Sequence, residues 1–385
     1  MSLAKDKKLD KPRIRTLDSL RGLAALSVVF CHFTDKMFSP ALLSMPFFNI
    51  VRYGHGAVMF FFVLSGYVLI YQYASNPSYT YRRFLTQRIV RIYVPYIVAL
   101  LLALLLFSLC KHTHYQKAWL SQMWPVPLST RLFVDHILLI GNFETEALLP
   151  PMWSLVHEMR VSLLFPILLF LLRLKPGKAL IGSGVLFLIG VVTTGLRFNE
   201  SAGYYNAYTY TIYYLVVFLV GGAVATYQQT LLTGYAKLSA FFKVAFLIIA
   251  LLLYNYADII FSSIFTDASK MHPVIYACGK SITEDGLITF ASCYFIIAAI
   301  SAAGKQTFLE KKLPLFLGKI SYSLYLVHTS VGGFIYYTLY GKMPVVSIII
   351  ICFMASFIVA YLFNKYVEMP SMKVAKSLMA KKKTE

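Results

Sequence analysis

Arg21 and His32 close the two ends of an otherwise apolar run, RGLAALSVVFCH. Eleven steps of about 100° end about 20° past three full turns, so on a helix the guanidinium and the imidazole share one face, roughly 16 Å apart along the axis. Lipid penalises both groups, and a segment that keeps them in register has a polar stripe along which one extended ligand can touch both. An imidazole so placed is a candidate general base for a hydroxyl, and the arginine suits an anion. A second basic set stands in YRRFLTQRIVRIYVPY, with Arg82, Arg83, Arg88 and Arg91 and no lysine. Arg88 and Arg91 are three apart and share a helical face, and guanidinium binds phosphate in the planar, bidentate way that ammonium does not.

The third set is PPMWSLVHEMRVSLLFP, with Trp153, His157, Glu158 and Arg160. Glu158 and Arg160 are two apart and point to different faces, so each needs another mate. For Glu158 the expected mate is His32, whose tautomer a carboxylate would fix and whose basicity it would raise. Plainer readings stand beside these: Arg21 snorkelling to an interface, Glu158 facing interfacial water, and Ser65 in FFFVLSGYVLI serving close helix packing. LGKISYSLYLVH adds Ser321, Tyr322, Ser323, Tyr325 and His328, which either line a cavity or form a structural polar stripe. No metal site is expected, because the five cysteines show neither a CxxC pair nor ligand spacing, although a Cys110–Cys278 disulfide is compatible with the topology below.

The elements that must position these residues are membrane helices. Of 385 residues 58% are hydrophobic and 16% aromatic, and mean hydropathy is +0.67, well above that of soluble domains. Ten spans are expected, near 17–35, 57–73, 93–110, 152–172, 179–196, 207–227, 238–261, 286–303, 316–340 and 345–367. Residues 131–150 are too short and polar to cross and are read as re-entrant or interfacial. The expected fold is thus an all-α, polytopic integral membrane protein: a basic tail over 1–16, one membrane domain over 17–370 and a second basic tail over 371–385. With ten spans, about 25 of the 36 Lys and Arg residues fall on the side of the N-terminus, which places both termini in the cytoplasm. The net charge of +20 is this topological signal plus attraction to anionic lipid, and a nucleic-acid partner is not expected. The charged N-terminus looks like the start of a secretory signal, but the run behind it contains His32 and no small-residue cleavage site, so it is read as a retained span.

The order LDSLRGLAALSVVFCH, FFFVLSGYVL, RIVRIYVPY, MWSLVHE, ISYSLYLVH and YVEMP resembles the membrane-bound acyltransferase 3 family, from about Leu17 to Pro370. The resemblance implies transfer of an acyl group, commonly acetyl from acetyl-CoA, to a hydroxyl of a carbohydrate such as O-antigen or exopolysaccharide outside a bacterial cytoplasmic membrane. It maps the family's His and Arg onto His32 and Arg21, and its paired arginines onto Arg88 and Arg91. Catalytic roles then fall to His32, Glu158 and Arg21, donor binding to Arg21, Arg88 and Arg91, and pocket roles to Ser65, Trp153, Tyr322, Tyr325 and His328. Met159, Arg160 and Val161 depart from the family pattern after Glu158, where many members carry a second acid and Gln-Phe-Tyr. No appended SGNH-hydrolase-like domain is expected. Acceptor contacts are expected in the loop 111–150, at Trp119, Trp124, Asp135, Glu144 and Glu146. A transporter or exporter would use the same intramembrane charges as a proton or substrate path, and a helper subunit of a polysaccharide synthase would neither bind nor consume acyl-CoA. The absence of an inverted repeat weighs against the transporter.

Overall fold

The computed structural model describes residues 14–34, 53–74, 80–110, 124, 129–267 and 270–380. Among them every regular element is helical. In chain order these are α1 (Arg15–Thr34), α2 (Gly54–Ala74), α3 (Tyr81–Leu109), α4 (Thr130–Leu138), α5 (Trp153–Leu163), α6 (Phe165–Arg173), α7 (Pro176–Gly195) and α8 (Tyr208–Thr226). Then follow α9 (Gln228–Lys237), α10 (Ala240–Ile264), α11 (Pro273–Lys280), α12 (Gly286–Ser301), α13 (Lys312–Leu339), α14 (Val345–Phe363) and α15 (Met369–Ala380).

Local chemistry sets several boundaries. Thr80, Ser129 and Ser239 cap α3, α4 and α10, each side-chain oxygen accepting a backbone N–H from the first turn. Proline opens α6, α7 and α11, where its missing N–H costs no helical bond. The 60° bend between α5 and α6 falls at Leu164, just before such an opening. Two π turns, Ser281–Asp285 and Asn364–Glu368, join α11 to α12 and α14 to α15 without ending the rod. Each carries buried acids or amides, the local irregularity that often marks a functional position.

Among the described residues seven helical rods are long and apolar enough to cross a membrane, and eight if the bent α5–α6 pair is one span. The expected count of ten is not reached on this measure. Neither α1 nor α13 is among those rods. These two helices pack together more extensively than any other pair, and α13 is buried along most of its length. Their polar residues bond protein: Arg21 and His32 of α1 meet α13, while Tyr322, Ser323 and Tyr325 of α13 bond Ile92, Glu368 and Pro151. Outer helices show the opposite pattern: Leu180 on α7 and Phe241 on α10 are each 75% exposed, as a lipid-facing surface requires.

Two helix crossings depend on glycine. A Cβ on Gly22 of α1 would lie 2.3 Å from the backbone nitrogen of Gly318 on α13, and one on Gly66 of α2 would lie 1.9 Å from the carbonyl oxygen of Phe218 on α8. Such close approach, rather than hydrophobic exclusion, drives helix association in lipid. In the region 131–150, α4 has nine residues, about 13 Å, too short to cross a membrane, and an irregular stretch leads from it into a single 3-10 turn, Pro150–Met152.

Candidate active site

The Gly22–Gly318 contact brings the polar faces of α1 and α13 together along their length. Near its start, Arg21 donates from Nε to Ser321 Oγ at 2.9 Å and from Nη2 to the Gly318 carbonyl at 3.1 Å, and pairs with Asp18 at 3.1 Å. Near its end, His32 Nδ1 meets His328 Nε2 at 2.8 Å, with the rings stacked at 5.1 Å and 7° from parallel. Both residues of the opening stripe therefore face α13.

His328 Nδ1 lies 2.9 Å from the Leu324 carbonyl. A carbonyl only accepts, so Nδ1 of His328 carries the proton and its Nε2 the lone pair. With both rings neutral, His32 Nδ1–H donates to that lone pair, and the unprotonated nitrogen of His32 is Nε2. The backbone of α13 thus sets the tautomer of His328, which sets that of His32. The part expected of Glu158 is taken by a histidine.

Glu158 sits elsewhere. Its carboxylate pairs with Arg88, which also donates from Nε to Ser162 Oγ at 3.3 Å, and it accepts from Ser65 at 3.3 Å. The arginine set was legible in the sequence, but this pairing was not, because Arg88 was read as a phosphate ligand and Glu158 as a histidine partner. Among the described residues no carboxylate forms an ion pair with Arg91. Arg91 joins Arg21 in lining two adjoining cavities. The first, about 290 Å³, is bounded by Asp18, Tyr67, Tyr71, Gln72 and Lys376. The second, narrower at about 120 Å³, runs past Ser65, Arg88, Glu158, Tyr322 and Glu368 to Ser154 and Tyr325. It leads from the arginines toward the histidines.

Tyr325 ends this channel: its hydroxyl donates to the Pro151 carbonyl at 2.6 Å and lies 2.7 Å from Ser154 Oγ, while its ring stands 6.2 Å from that of His328. Tyr322 donates to the Ile92 carbonyl at 2.9 Å. Glu368, which sequence reasoning placed only in a motif, accepts from Ser323 at 2.6 Å and Asn364 at 2.9 Å and lines the same channel. Trp153 lies in an aromatic layer with Tyr204 and Tyr205.

Other polar residues of the third set are structural. Arg160 is held by the carbonyls of Ile140, Gly141, Asn206 and Ala207, by Thr211 at 2.9 Å, and by the Tyr208 ring at 4.3 Å. It ties the irregular stretch after α4 to the start of α8. His157 is spent between Thr211 and the Tyr205 carbonyl. In the loop expected to contact the acceptor, Trp119 lies outside the described residues. Trp124 is buried, its Nε1 donating to the Leu148 carbonyl at 3.4 Å and its ring stacked on Tyr337, so it is a packing residue. Asp135 and Glu144 are partly exposed, and burial, with Glu144 beside it, holds the Glu146 carboxyl above its ordinary range. Cys110 and Cys278 are both free thiols, so the compatible disulfide is not formed.

A helical membrane bundle in which α1 and α13 meet over polar faces, with arginines at one end of a channel and an oriented imidazole toward the other, has the features of an intramembrane enzyme or carrier of an anionic donor. Comparison decides the family. The acyltransferase 3 family model, an acyltransferase domain, matches residues 14–365, and the chain belongs to that family. It is 33% identical over 179 residues to the acyltransferase MdmB of Streptomyces mycarofaciens, covering 44% of this chain and 43% of that protein. It is 26% identical over 407 residues to the O-acetyltransferase OatA of Staphylococcus aureus strain MRSA252, covering 98% of this chain and 61% of that protein. OatA of strain NCTC 8325 gives 26% over 389 residues, 94% and 58%. The chain thus spans less than two thirds of the length of these curated relatives. No solved structure matches it.

Proposed function

We propose that this protein moves an acyl group, acetyl from acetyl-CoA, onto a hydroxyl of a carbohydrate on the far side of a bacterial cytoplasmic membrane. The observation that carries this reading is the backbone-oriented His32–His328 pair near the end of a channel that opens among arginines. Membership of the acyltransferase 3 family supports the reaction class, and the name of the relative OatA supports acetyl.

The donor's nucleotide phosphates sit in the outer mouth of the channel against Arg21, Arg91 and Lys376. The pantetheine arm passes Arg88 and Glu158 and brings the thioester to Ser154 and Tyr325. His32 Nε2 takes the proton of the acceptor hydroxyl as its oxygen attacks the thioester carbonyl. His328 holds the resulting imidazolium through Nδ1–H. Ser154 donates to the oxyanion by turning its hydroxyl away from Tyr325, whose own O–H stays on the Pro151 carbonyl. When the carbon–sulfur bond breaks, the CoA thiolate recovers the proton from His32. Arg21 serves the donor and not the oxyanion, because it binds α13 at Gly318, about 15 Å of helix from His328.

In the membrane, α1 and α13 complete ten spans with the eight apolar ones, and both termini are cytoplasmic under the positive-inside rule. The arginine mouth then faces the cytosol, where acyl-CoA is found. The transport reading shares the channel and would use the two imidazoles as a proton path. CoA release from acetyl-CoA by the purified protein, with and without cell-envelope polysaccharide, tests the proposal. Polysaccharide-dependent release that puts acetyl on the glycan is the expected result, and glycan movement across vesicles without acyl-CoA would favour transport.

A further inference from the structure

Beyond the aromatic layer at Trp153 lies a cavity of about 690 Å³, between α7, α8, α11 and the start of α2. This is within the range of small-molecule pockets, about 300 to 1,000 Å³. It stands toward the end of the bundle where α1 finishes: Gly54, at the start of α2, packs against Cys31, next to His32. One aromatic layer separates it from the channel. Trp153 stacks edge-on at 5.4 Å to Tyr204 and lies 6.0 Å from Tyr205, while the adjacent Ser154 bonds Tyr325 on the channel side.

The chemistry of its lining differs from that of the donor channel. Tyr205, Tyr210, Tyr213 and Tyr214 supply aromatic faces. Tyr205 is held with φ 46, in the left-handed region that non-glycine residues rarely occupy. The charges are internally matched: His55 Nε2 meets Asp285 Oδ1 at 2.6 Å, Tyr213 donates to Asp285 Oδ2 at 2.8 Å, and Lys280 donates to Tyr205 at 3.0 Å and faces Glu284 at 3.9 Å. Tyr53 occupies the other Glu284 oxygen at 2.5 Å. A phosphate would find no surplus cation there. Two buried polar atoms of the lining, His55 Nδ1 and Thr194 Oγ1, have no hydrogen-bond partner among the described residues. Asp285 takes His55 Nε2–H, so Nδ1 is left for a ligand: it accepts from a hydroxyl while the ring is neutral and donates to one when the ring is protonated against Asp285. Aromatic faces, matched charges and an unanswered imidazole nitrogen beside a hydroxyl suit a glycosyl unit.

We infer that this cavity, with His55, Thr194, Tyr205 and Tyr210, binds the carbohydrate acceptor and presents its hydroxyl across the Trp153 layer to His32. The inference rests on the acyl-transfer reading above. It moves the acceptor site from the loop after α3 to the cavity between α7, α8 and α11.

The test uses the full chain in lipid nanodiscs, with acetyl-CoA as donor and bacterial cell-envelope polysaccharide as acceptor, and measures donor Kd and acceptor KM separately. Ala277→Trp fills the cavity, Thr194→Val removes one hydroxyl at constant volume, and His55→Gln keeps an amide N–H for Asp285 while removing the nitrogen at the Nδ1 position. The expected result is a donor Kd within twofold of wild type in all three, with acceptor KM raised at least tenfold by A277W and about threefold to tenfold by T194V and H55Q. Wild-type acceptor KM in T194V and H55Q would overturn the assignment even if A277W failed to fold. Equal loss of donor binding in T194V and H55Q would also overturn it, because the cavity would then serve the donor. If wild-type protein binds acetyl-CoA but acetylates no polysaccharide, the acyl-transfer reading itself fails, which is a distinct outcome.

Discussion

At the scale of single residues, the account turns on which group orients His32. The Arg21–His32 register was legible because helical periodicity alone fixes which face a residue takes. The partner was not, because His328 is 296 residues away and nothing in local spacing links them. Glu158 was the natural candidate from sequence, and the structure pairs it with Arg88. Two expectations follow. His328→Ala should leave acetyl-CoA Kd unchanged, lower kcat about tenfold to a hundredfold and shift the acid limb of the kcat–pH profile, whereas a merely structural role would lower protein yield without moving the profile. Glu158→Gln should weaken the Arg88 pair. With the carboxylate side chain 20% exposed, the loss should be about 1–3 kcal/mol, below that of fully buried pairs, and visible as a lower Tm in detergent.

At the scale of elements, the apolar runs of the sequence located the lipid-facing rods and also α1 and α13, although neither of these two passes as a strongly apolar rod. Their polar groups are satisfied by protein: Arg21 by Ser321 and Gly318, His32 by His328, and Tyr322, Ser323 and Tyr325 by Ile92, Glu368 and Pro151. The π turn Ser281–Asp285 and the cavity beside it left no periodic trace, since a single extra residue per turn does not alter composition. The crossing of α1 and α13 rests on Gly22 and Gly318. Gly22→Val should drive its side chain into the Gly318 backbone and cost about 1–3 kcal/mol, and it should reduce activity because Arg21 and His32 move with the helix. Gly184→Ala, on α7 with open space around it, should be neutral or slightly stabilising. Thermal melts of both variants compare the two directly.

At the scale of the whole molecule, the arginine-lined mouth and the cavity at His55 lie toward opposite ends of the bundle. On the proposed reading, Arg91→Ala and Lys376→Ala should raise donor KM and flatten its dependence on salt, leaving acceptor KM in place, as expected for phosphate contacts near a solvent-facing mouth. Reporter fusions at both ends of the chain should register as cytoplasmic if the ten-span arrangement holds. The most direct measurement seals radiolabelled acetyl-CoA inside proteoliposomes and supplies polysaccharide only outside, for wild type and His32→Gln. The account predicts acetylated polysaccharide outside, formed by wild type and reduced at least about a hundredfold by H32Q. Acetylation only when donor and acceptor share a compartment, or equal transfer by H32Q, would contradict it.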